Sequence, residues 1–488
     1  MLKTQLLTLG LSFLIAVSFS QSQNKNSYLE DFKIYKEIVE TSHTGMYLYT
    51  PKFAFDSIFK TSQKQIEAGE ILTINDFFLL LAKIHTKINC GHSSMYPSSE
   101  QFSIIKENKE VFFPFQVKFI RDTLIVATDY KNLKKGTRIT KINNLSIAQI
   151  CNDAFQIISS DGFNTTFKYR QLEEEFSIYY FLLYGPKEKY NLDIIPYQST
   201  ETISVIINGI QPNDSQVIIE RKAMDLKFIN KNTALLTVNT FSTETRKNQK
   251  KYFKFLKNSF KEIKEKGIEN LIVDIRENTG GDDGNDMELA SYLINKPFKE
   301  NKFRKLNNTD LPLYPEYLHP EWKQMMGIPK KKTPEEIKKR FEKEIHNEFI
   351  IGEDSAYYLK EKMLIKKNPK HYLFTGKTYI LISGKVFSGG ALFSALVRDK
   401  SKAIFVGEET GGGYYRHTGS IPLIYELPNS KIAFSIFIVI NEQDVQQNLF
   451  PNGRGTIPHF NIYPTIKDFV DGADAVLQKS LNLINDNK

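Results

Sequence analysis

The pattern of apolar and polar positions divides most of the chain into three regions. From Leu29 to Ile88 the apolar residues recur at helical spacing, which predicts a small helical domain over residues 23–100. From Val111 to Ile219 apolar and polar residues alternate as they do in strands, which predicts a β-rich domain over residues 101–222. Over residues 223–488 short apolar runs alternate with helical stretches. This pattern is typical of an α/β layer built from β-α crossovers.

The β-rich region contains a clear hairpin pattern. Residues 135–144 run from a glycine turn through an apolar–polar strand to Asn143 and Asn144, which favour a tight turn. The segment is also similar to the ligand-loop side of a PDZ domain. Such domains bind chain ends by adding a strand to a sheet edge.

Three buried strands are predicted in the α/β region, at residues 271–275, 379–382 and 404–407. A glycine-rich loop follows each of them. Because α/β folds place their sites at the carboxyl ends of the strands, the three loops should converge at one sheet edge. Between the first two strands lies an insertion, 297–371, that is rich in charge and holds the only tryptophan. Insertions of this size are often lids or partner surfaces.

The loop after the second strand contains the strongest candidate for chemistry. It reads Ser-Gly-Lys-Val-Phe-Ser-Gly-Gly over residues 383–390 and leads directly into a helix rich in small residues. A serine at this junction, Ser388, would be exposed beside backbone N–H groups that could hold an oxyanion. The segment is not the Gly-x-Ser-x-Gly elbow, because Val386 replaces the first glycine. A helix-capping role for Ser388 is the alternative.

The loops after the other two strands can support that chemistry. The first runs Asp-Ile-Arg-Glu-Asn-Thr-Gly-Gly over residues 274–281, and its glycines let the backbone approach a substrate carbonyl. We expect Asp274 and Arg276 to form a structural ion pair. A phosphate cradle is the rival interpretation, but no Gly-Lys-Ser/Thr follows the glycines. The third loop is Gly-Glu-Glu-Thr-Gly-Gly-Gly over residues 407–413.

The order and spacing of these motifs resemble those of the tail-specific, or C-terminal-processing, serine peptidases. The resemblance covers residues 223–484. It implies a crotonase- or ClpP-like β-β-α superhelix core, here preceded by the helical domain and the β-rich, PDZ-like domain. It further implies that Ser388 is the nucleophile and that the N–H groups of Gly281 and Gly389 form the oxyanion hole.

The resemblance leaves the catalytic base to be chosen between two branches. The Ser-Lys branch has its lysine about 25 residues after the serine, where this chain has Gly413. Lys385 is a poor geometric substitute. The tricorn-like branch takes a histidine from an upstream Gly-His-Ser/Thr turn, and residues 89–94, Asn-Cys-Gly-His-Ser-Ser, resemble that turn. We therefore expect His92 to be the base; His417 is a rival, and His85 reads as part of a helix face.

The orienting acid of that branch is not found at its expected place. Asn452 stands where the family's glutamate would be, and His459 replaces its aspartate. Glu442 and Asp444 are the candidates nearby in the sequence. The third member of the catalytic set is unassigned by the sequence.

The N-terminus has the pattern of a secretory signal peptide. Lys3 precedes the apolar run from Leu6 to Phe19, and small serines follow, so residues 1–22 should be removed. The run is shorter than the roughly 18 residues that a spanning helix needs, and no later run approaches that length. We expect an exported protein, periplasmic or extracellular, with no membrane span in the mature chain.

The remaining composition argues for a peptide or protein substrate and against other partners. The formal net charge is +9, but the basic residues lie in helical patches interleaved with acids, and no zinc-finger or RNA-binding motif appears, so no nucleic-acid partner is expected. No cofactor is expected. Cys90 and Cys151 are expected to be free and partly buried. No metal site is expected, because no further ligand cluster accompanies Cys90 and His92.

Two other functions stay open. The same fold is found in retinoid-binding proteins, so the chain could be a weak or inactive relative that binds hydrophobic ligands or peptides. An acyl-CoA enzyme of the crotonase kind shares only the fold, and export disfavours it because coenzyme A is cytoplasmic. The sequence favours an exported serine endopeptidase that cleaves flexible or C-terminal segments.

Overall fold

The computed structural model describes residues 25–98, 101, 112–211, 222–329 and 331–486. The expected signal peptide over residues 1–22 lies outside the described residues. Within these described ranges, none of the helices combines the length and the apolar character that crossing a membrane requires.

The N-terminal region is helical, as the apolar spacing predicts. Its third helix begins with a capping box, in which Thr73 and Asp76 each accept a hydrogen bond from the other's backbone N–H. The buried faces of the helices pack into one hydrophobic core. The helices are α1 (Lys25–Ser42), α2 (Lys52–Ala68) and α3 (Ile74–Thr86), followed by the short strand β1 (Ser94–Tyr96).

Among its described residues, the middle region has a five-strand antiparallel path with a short additional strand, together with three helices. The predicted hairpin is confirmed, since Asn143 and Asn144 both have positive φ, 49° and 68°. The strand pattern did not predict the helices of this β-rich region. One of them, Phe176–Tyr184, is apolar all round and has a strand-like composition. The elements are β2 (Val117–Ile120), β3 (Thr123–Val126), β4 (Arg138–Ile142), β5 (Leu145–Ser146), α4 (Ile147–Phe155), α5 (Thr166–Glu174), α6 (Phe176–Tyr184), β6 (Lys189–Ile195) and β7 (Ile203–Asn208).

A largely parallel sheet forms the centre of the third region. Its strand order is β20-β17-β16-β10-β9-β8, and only β8 runs antiparallel to its neighbour. The three strands predicted as buried are β10, β16 and β17. The elements are β8 (Met224–Asn230), β9 (Thr233–Val238), α7 (Arg246–Glu265), β10 (Asn270–Asp274), α8 (Asn285–Ala290), β16 (Lys377–Ile382), α11 (Gly389–Lys400), β17 (Ile404–Gly407), β20 (Phe460–Asn461), α12 (Ile466–Asp471) and α13 (Ala475–Asn485).

The insertion over residues 297–371 is packed into the molecule. Its strand β12 pairs with the long hairpin strand β19, and Trp322 donates a 2.7 Å hydrogen bond to the carbonyl of Pro422. Strand β1 also pairs with β19. The elements are β11 (Phe298–Lys299), β12 (Asn301–Leu306), α9 (Pro320–Met325), α10 (Pro334–Glu348), β13 (Phe349–Ile351), β14 (Tyr357–Leu359), β15 (Lys366–Lys367), β18 (Arg416–Glu426) and β19 (Ala433–Gln443).

The architecture confirms the predicted α/β class, with several sheets and helical layers. Helices α1–α3, the insertion and the β18–β19 hairpin share one hydrophobic core. The N-terminal helices are therefore fastened to the region that carries the strand-end loops. The domain boundaries at residues 100 and 222, and the PDZ likeness, stay predictions.

Candidate active site

The candidate nucleophile lies at a strained junction between β16 and α11. Ser388 directly precedes the helix, with backbone torsions φ 51° and ψ −126°. Positive φ is uncommon for a residue with a side chain and costs free energy, so the surrounding packing must hold it there. The Ser388 side chain makes no capping hydrogen bond to the helix. The helix-capping alternative is therefore wrong.

The loop after β10 lies directly against this serine. A Cβ atom at Gly280 would lie 2.7 Å from the Cβ atom of Ser388 and 2.9 Å from the backbone nitrogen of Gly389. A Cβ atom at Gly281 would lie 2.0 Å from the backbone nitrogen of Ser242. Because Gly280 and Gly281 also have positive φ, 103° and 154°, a side chain at either position would be strained. The glycines thus permit the close approach of two loops.

The same approach brings the backbone nitrogen of Gly281 close to Gly389, the residue after the serine. A Cβ atom at Gly389 would lie 3.7 Å from the backbone nitrogen of Gly281. Gly389 is also the first residue of α11. Since the first N–H groups of a helix have no acceptor within the helix, the Gly389 N–H group is suited to an anionic oxygen.

The glycine-rich loop after β17 packs behind the nucleophile. The N–H groups of Gly411 and Gly412 donate to the carbonyl of Val386, at 2.9 and 3.1 Å. A Cβ atom at Gly412 would lie 3.3 Å from the backbone nitrogen of Ser388. The predicted convergence of the three strand-end loops is confirmed.

The loop after α3 carries His92 to the residue that precedes the nucleophile. The imidazole centroid lies 4.5 Å from the ring centroid of Phe387 and 5.2 Å from that of Phe437. A Cβ atom at Gly91 would lie 2.8 Å from the Phe387 ring. His92 itself is half-buried. The fold therefore places the predicted base beside Phe387, the residue before Ser388, although the two are far apart in the sequence.

The other candidate histidines have different environments. His417 stacks on His92 with a centroid separation of 5.2 Å, and burial lowers the pKa of His417 to about 4. Its Nε2 atom lies 3.2 Å from the side-chain nitrogen of Asn441. His85 is in the helical core, where its Nδ1 atom lies 3.1 Å from the hydroxyl of Tyr35. His417 forms a neutral wall of the site, and His85 is a core residue as expected.

The lysine nearest in sequence to the nucleophile is held in ion pairs. The Lys385 ammonium lies 2.5 Å from a carboxylate oxygen of Glu174 and 3.1 Å from one of Glu277. Burial opposes its charge, but the two carboxylates outweigh burial and raise the pKa of Lys385 above its usual range. A lysine that stays protonated cannot take a proton from a serine.

The acids considered from sequence position are also engaged elsewhere. Both carboxylate oxygens of Glu442 accept hydrogen bonds from the guanidinium of Arg416, at 2.7 and 3.0 Å. Asp444 lies 3.2 Å from the ammonium of Lys400. Both carboxylates therefore pair with basic residues and not with His92.

His459 and Asn452, which replace the acidic residues of the family pattern, have different environments. The Nδ1 atom of His459 accepts a 2.9 Å hydrogen bond from the backbone N–H of Phe405. His459 therefore stabilises strand β17. Asn452 lies exposed in the loop before β20.

A carboxylate that sequence reasoning missed lies beside His92. Asp161 is 3% exposed, and one of its oxygens lies within 4.8 Å of a ring nitrogen of His92. Its Oδ1 atom accepts a 2.7 Å hydrogen bond from the N–H of Gly91, and its Oδ2 atom accepts a 3.1 Å bond from the N–H of Gly413. Two backbone amides on different loops therefore fix this carboxylate in place.

Asp161 lies next to the loop in which the family's acid was expected. A Cβ atom at Gly162 would lie 2.4 Å from the Cα atom of Gly453, and the N–H of Phe163 donates a 2.8 Å bond to the Gly453 carbonyl. The two loops are thus in direct contact, one residue from Asn452. Only the three-dimensional fold reveals this, because the two loops are remote in the sequence.

The structure also shows the environments of the predicted ion pair and of the two cysteines. Arg276 donates to both carboxylate oxygens of Asp274 and bridges to Asp474, which confirms the structural pairing. Cys90 and Cys151 are free, and both are buried. The sequence showed no third ligand beside Cys90 and His92, but the fold adds Asp161, whose ligand oxygen lies within 4.8 Å of theirs.

Comparisons with known proteins agree with this arrangement. The model of peptidase family S41 matches residues 232–462, which include all three strand-end loops. Two solved structures resemble the fold along nearly the whole chain. Mature CPAF complexed with lactacystin gives a TM-score of 0.64 at 13% identity, covering 94% of this chain and 97% of that one. Mature CPAF gives 0.60 at 13% identity, covering 91% and 94%.

Among curated proteins, no sequence matches this chain. The family assignment therefore stands on the family model and on the motifs that it spans, with the fold in agreement. We conclude that the region over residues 232–462 belongs to peptidase family S41, the tail-specific serine peptidases.

Proposed function

We propose that the protein is an exported serine endopeptidase in which Ser388 attacks the scissile carbonyl and His92 takes the serine proton. The backbone N–H groups of Gly281 and Gly389 hold the oxyanion. The observation that carries this proposal is the strained backbone of Ser388, at φ 51° without a helix-capping bond, beside the glycine loop that ends in Gly281.

Asp161 takes the place of the missing orienting acid in this proposal. A buried carboxylate within 4.8 Å of the imidazole stabilises the imidazolium that forms when His92 accepts the proton. The two backbone bonds from Gly91 and Gly413 fix its position. Asp161 is thus a positioning residue, because it acts on the peptide only through His92.

The substrate of the proposal is a flexible or C-terminal peptide segment. The strand β7 lies at the end of its sheet path within the described part of the chain, and Ile203 and Ile206 on it are exposed. An edge strand offers backbone N–H and C=O groups to an extended peptide. Matched peptides with free and amidated C-termini test this, and faster cleavage of the free-acid peptide is expected.

Export is the second part of the proposal. It is supported by the short positive region and apolar run within residues 1–22. Expression in a bacterial host followed by N-terminal sequencing of the secreted or periplasmic form tests it. We expect the mature chain to begin close to Gln23.

The experiment for the nucleophile is labelling with a fluorophosphonate probe, followed by mapping of the modified peptide. Wild type should be labelled at Ser388, and Ser388→Ala should lose the label completely. Ser394→Ala is the matched control, because this buried serine of the same helix donates its hydroxyl to the carbonyl of Gly390. It should keep the label.

The alternative function is a catalytically weak or inactive binding protein. The observation that favours it is the replacement of both expected acidic residues, by Asn452 and His459. A folded wild type that the fluorophosphonate does not label would support this alternative. A label on a residue other than Ser388 would contradict the assigned nucleophile.

A further inference from the structure

Three potential metal ligands from distant parts of the chain meet beside the candidate base. A sulfur of Cys90, a ring nitrogen of His92 and a carboxylate oxygen of Asp161 all lie within 4.8 Å of one another. Among the described residues, this is the one group of three or more cysteine, histidine or acidic side chains placed closely enough to hold a metal ion. The donor set of thiolate, imidazole and carboxylate suits Zn²⁺.

The three ligand atoms are already close together. With zinc bonds of about 2.0–2.3 Å, the ligand atoms of a tetrahedral site are roughly 3.3–3.7 Å apart. The present separations are at most 4.8 Å, so binding an ion would draw the most distant pair together by up to about 1 Å. A thiolate and a carboxylate also balance the two positive charges of the ion in this buried place.

Neighbouring groups hold two of the ligands in position. The hydroxyl of Ser93 donates to the Cys90 sulfur at 3.3 Å, and this sulfur lies 3.5 Å from the carbonyl of Thr418. The Asp161 oxygens each accept one backbone hydrogen bond, from the N–H groups of Gly91 and Gly413. Such supporting contacts are what orient metal ligands in proteins.

We propose that Cys90, His92 and Asp161 form an inhibitory site for a thiophilic divalent cation, Zn²⁺ or a metal of similar chemistry. On binding, the Cys90 thiol loses its proton to solvent and a metal–sulfur bond forms. A neutral imidazole has one nitrogen with a lone pair and one with a proton. A metal on the ring nitrogen that faces Asp161 therefore leaves the proton on the other nitrogen, and His92 can no longer accept the serine proton.

The inhibitory consequence depends on the proposed role of His92, whereas metal binding itself does not. Two readouts separate them. The first is Co²⁺ added to the purified mature protein, which gives a thiolate-to-cobalt absorption band when a cysteine is a ligand. The second is the rate of fluorophosphonate labelling with Zn²⁺, divided by the rate in excess chelator for the same variant.

Variants of the two cysteines provide a matched comparison. Cys151 is buried at 5% exposure in a different hydrophobic cluster, and Cys90 is buried at 3%. Wild type and Cys151→Ala should bind one Co²⁺ with the thiolate band, and Zn²⁺ should slow their labelling at least tenfold. Cys90→Ala should lose the band and most of the zinc sensitivity, and Cys90→Ser provides the same test if the alanine variant does not fold.

The outcomes discriminate between the two proposals. No cobalt band in the folded wild type, or a band that persists in Cys90→Ala, would overturn the metal site. A band without any effect of zinc on labelling would overturn the inhibitory role and with it the assignment of His92 as base. If wild type is not labelled at all, the peptidase proposal fails, and the cobalt band still decides the metal site.

Discussion

The two sides of the candidate active site contribute different chemical groups. On the parallel-sheet side, the loops after β10, β16 and β17 contribute backbone: a strained serine, glycines with positive φ, and amide groups. On the upstream side, the loops that carry His92 and Asp161 contribute titratable side chains. In the proposed mechanism, the sheet fixes where the oxyanion forms, and the upstream loops control proton transfer.

The largest effect on labelling and stability is expected from adding a side chain at Gly281, where neighbouring backbone leaves no room for it. Gly281→Ala places a Cβ atom 2.0 Å from the backbone of Ser242 and 2.1 Å from that of Phe241. We expect loss of fluorophosphonate labelling and a decrease of at least ~3 kcal/mol in the free energy of unfolding. Urea denaturation and labelling measure the two effects.

Gly267→Ala is the matched control for this change. Gly267 also has positive φ, 63°, but no atom lies within 4 Å of a Cβ atom placed there. Only the conformational cost of about 1–2 kcal/mol should remain, and labelling should be unchanged. Equal losses from the two substitutions would contradict the close packing of the Gly281 loop.

The next effect concerns the side-chain half of the site. Asp161→Asn removes the negative charge beside His92 and should lower the labelling rate by about 100-fold or more. It should also displace the pH profile of labelling to lower pH, because the imidazolium loses its stabilising partner. The pH profile matters because a purely structural role of Asp161 would lower the amount of folded protein without moving the profile.

Exposed Asp129 offers the control for this substitution, since its carboxylate lies 3.1 Å from Lys134 at the surface. Asp129→Asn should keep both the rate and the profile. An Asp161→Asn variant with the wild-type labelling rate and pH profile would show that the reactivity of the site does not depend on this carboxylate.

A smaller effect on stability is expected from histidines outside the site. Burial lowers the pKa of His43 to about 4. Burial and the charge of the nearby His43 lower the pKa of His85 to about 3. Both pKa values lie below the ordinary value near 6.5, so the unfolded chain binds more protons than the native protein below that pH. Their stabilising contribution is complete above pH 6.5 and is lost as the pH falls towards 4.

Urea denaturation between pH 7 and pH 4 measures this loss, which we expect to be on the order of 3 kcal/mol for each histidine. Because the loss arises from the helical layer, His43→Leu should make the unfolding free energy less dependent on pH in this interval. An unchanged pH dependence in His43→Leu would contradict the neutral, buried state of this histidine.

The two halves of the site also differ in how far the sequence could predict them. Ser388, Gly281 and the three converging loops belong to local motifs, since each follows a buried strand and α/β folds bring such strand ends together. His92 was found from a short turn motif that resembles the family. Asp161 could not be found, because no local pattern shows that residues 91, 161 and 413 meet.

The elements of the fold also divide into those that a local sequence pattern predicts and those that it does not. Periodic apolar spacing predicts α1–α3, and continuous apolar runs predict β10, β16 and β17. Helix α6 was missed because its aromatic residues suit either a helix or a strand. The pairing of β12 with β19 depends on contacts across more than a hundred residues and leaves no local signal.

The most direct test of the central claim compares the two candidate bases in one experiment. Labelling rates are measured for wild type, His92→Ala and Lys385→Ala, with circular dichroism to confirm folding. We predict that His92→Ala lowers the rate at least 100-fold, while Lys385→Ala stays within a few-fold of wild type. A full rate in His92→Ala together with loss in Lys385→Ala would contradict the account, because the proton would then leave Ser388 without the upstream loop.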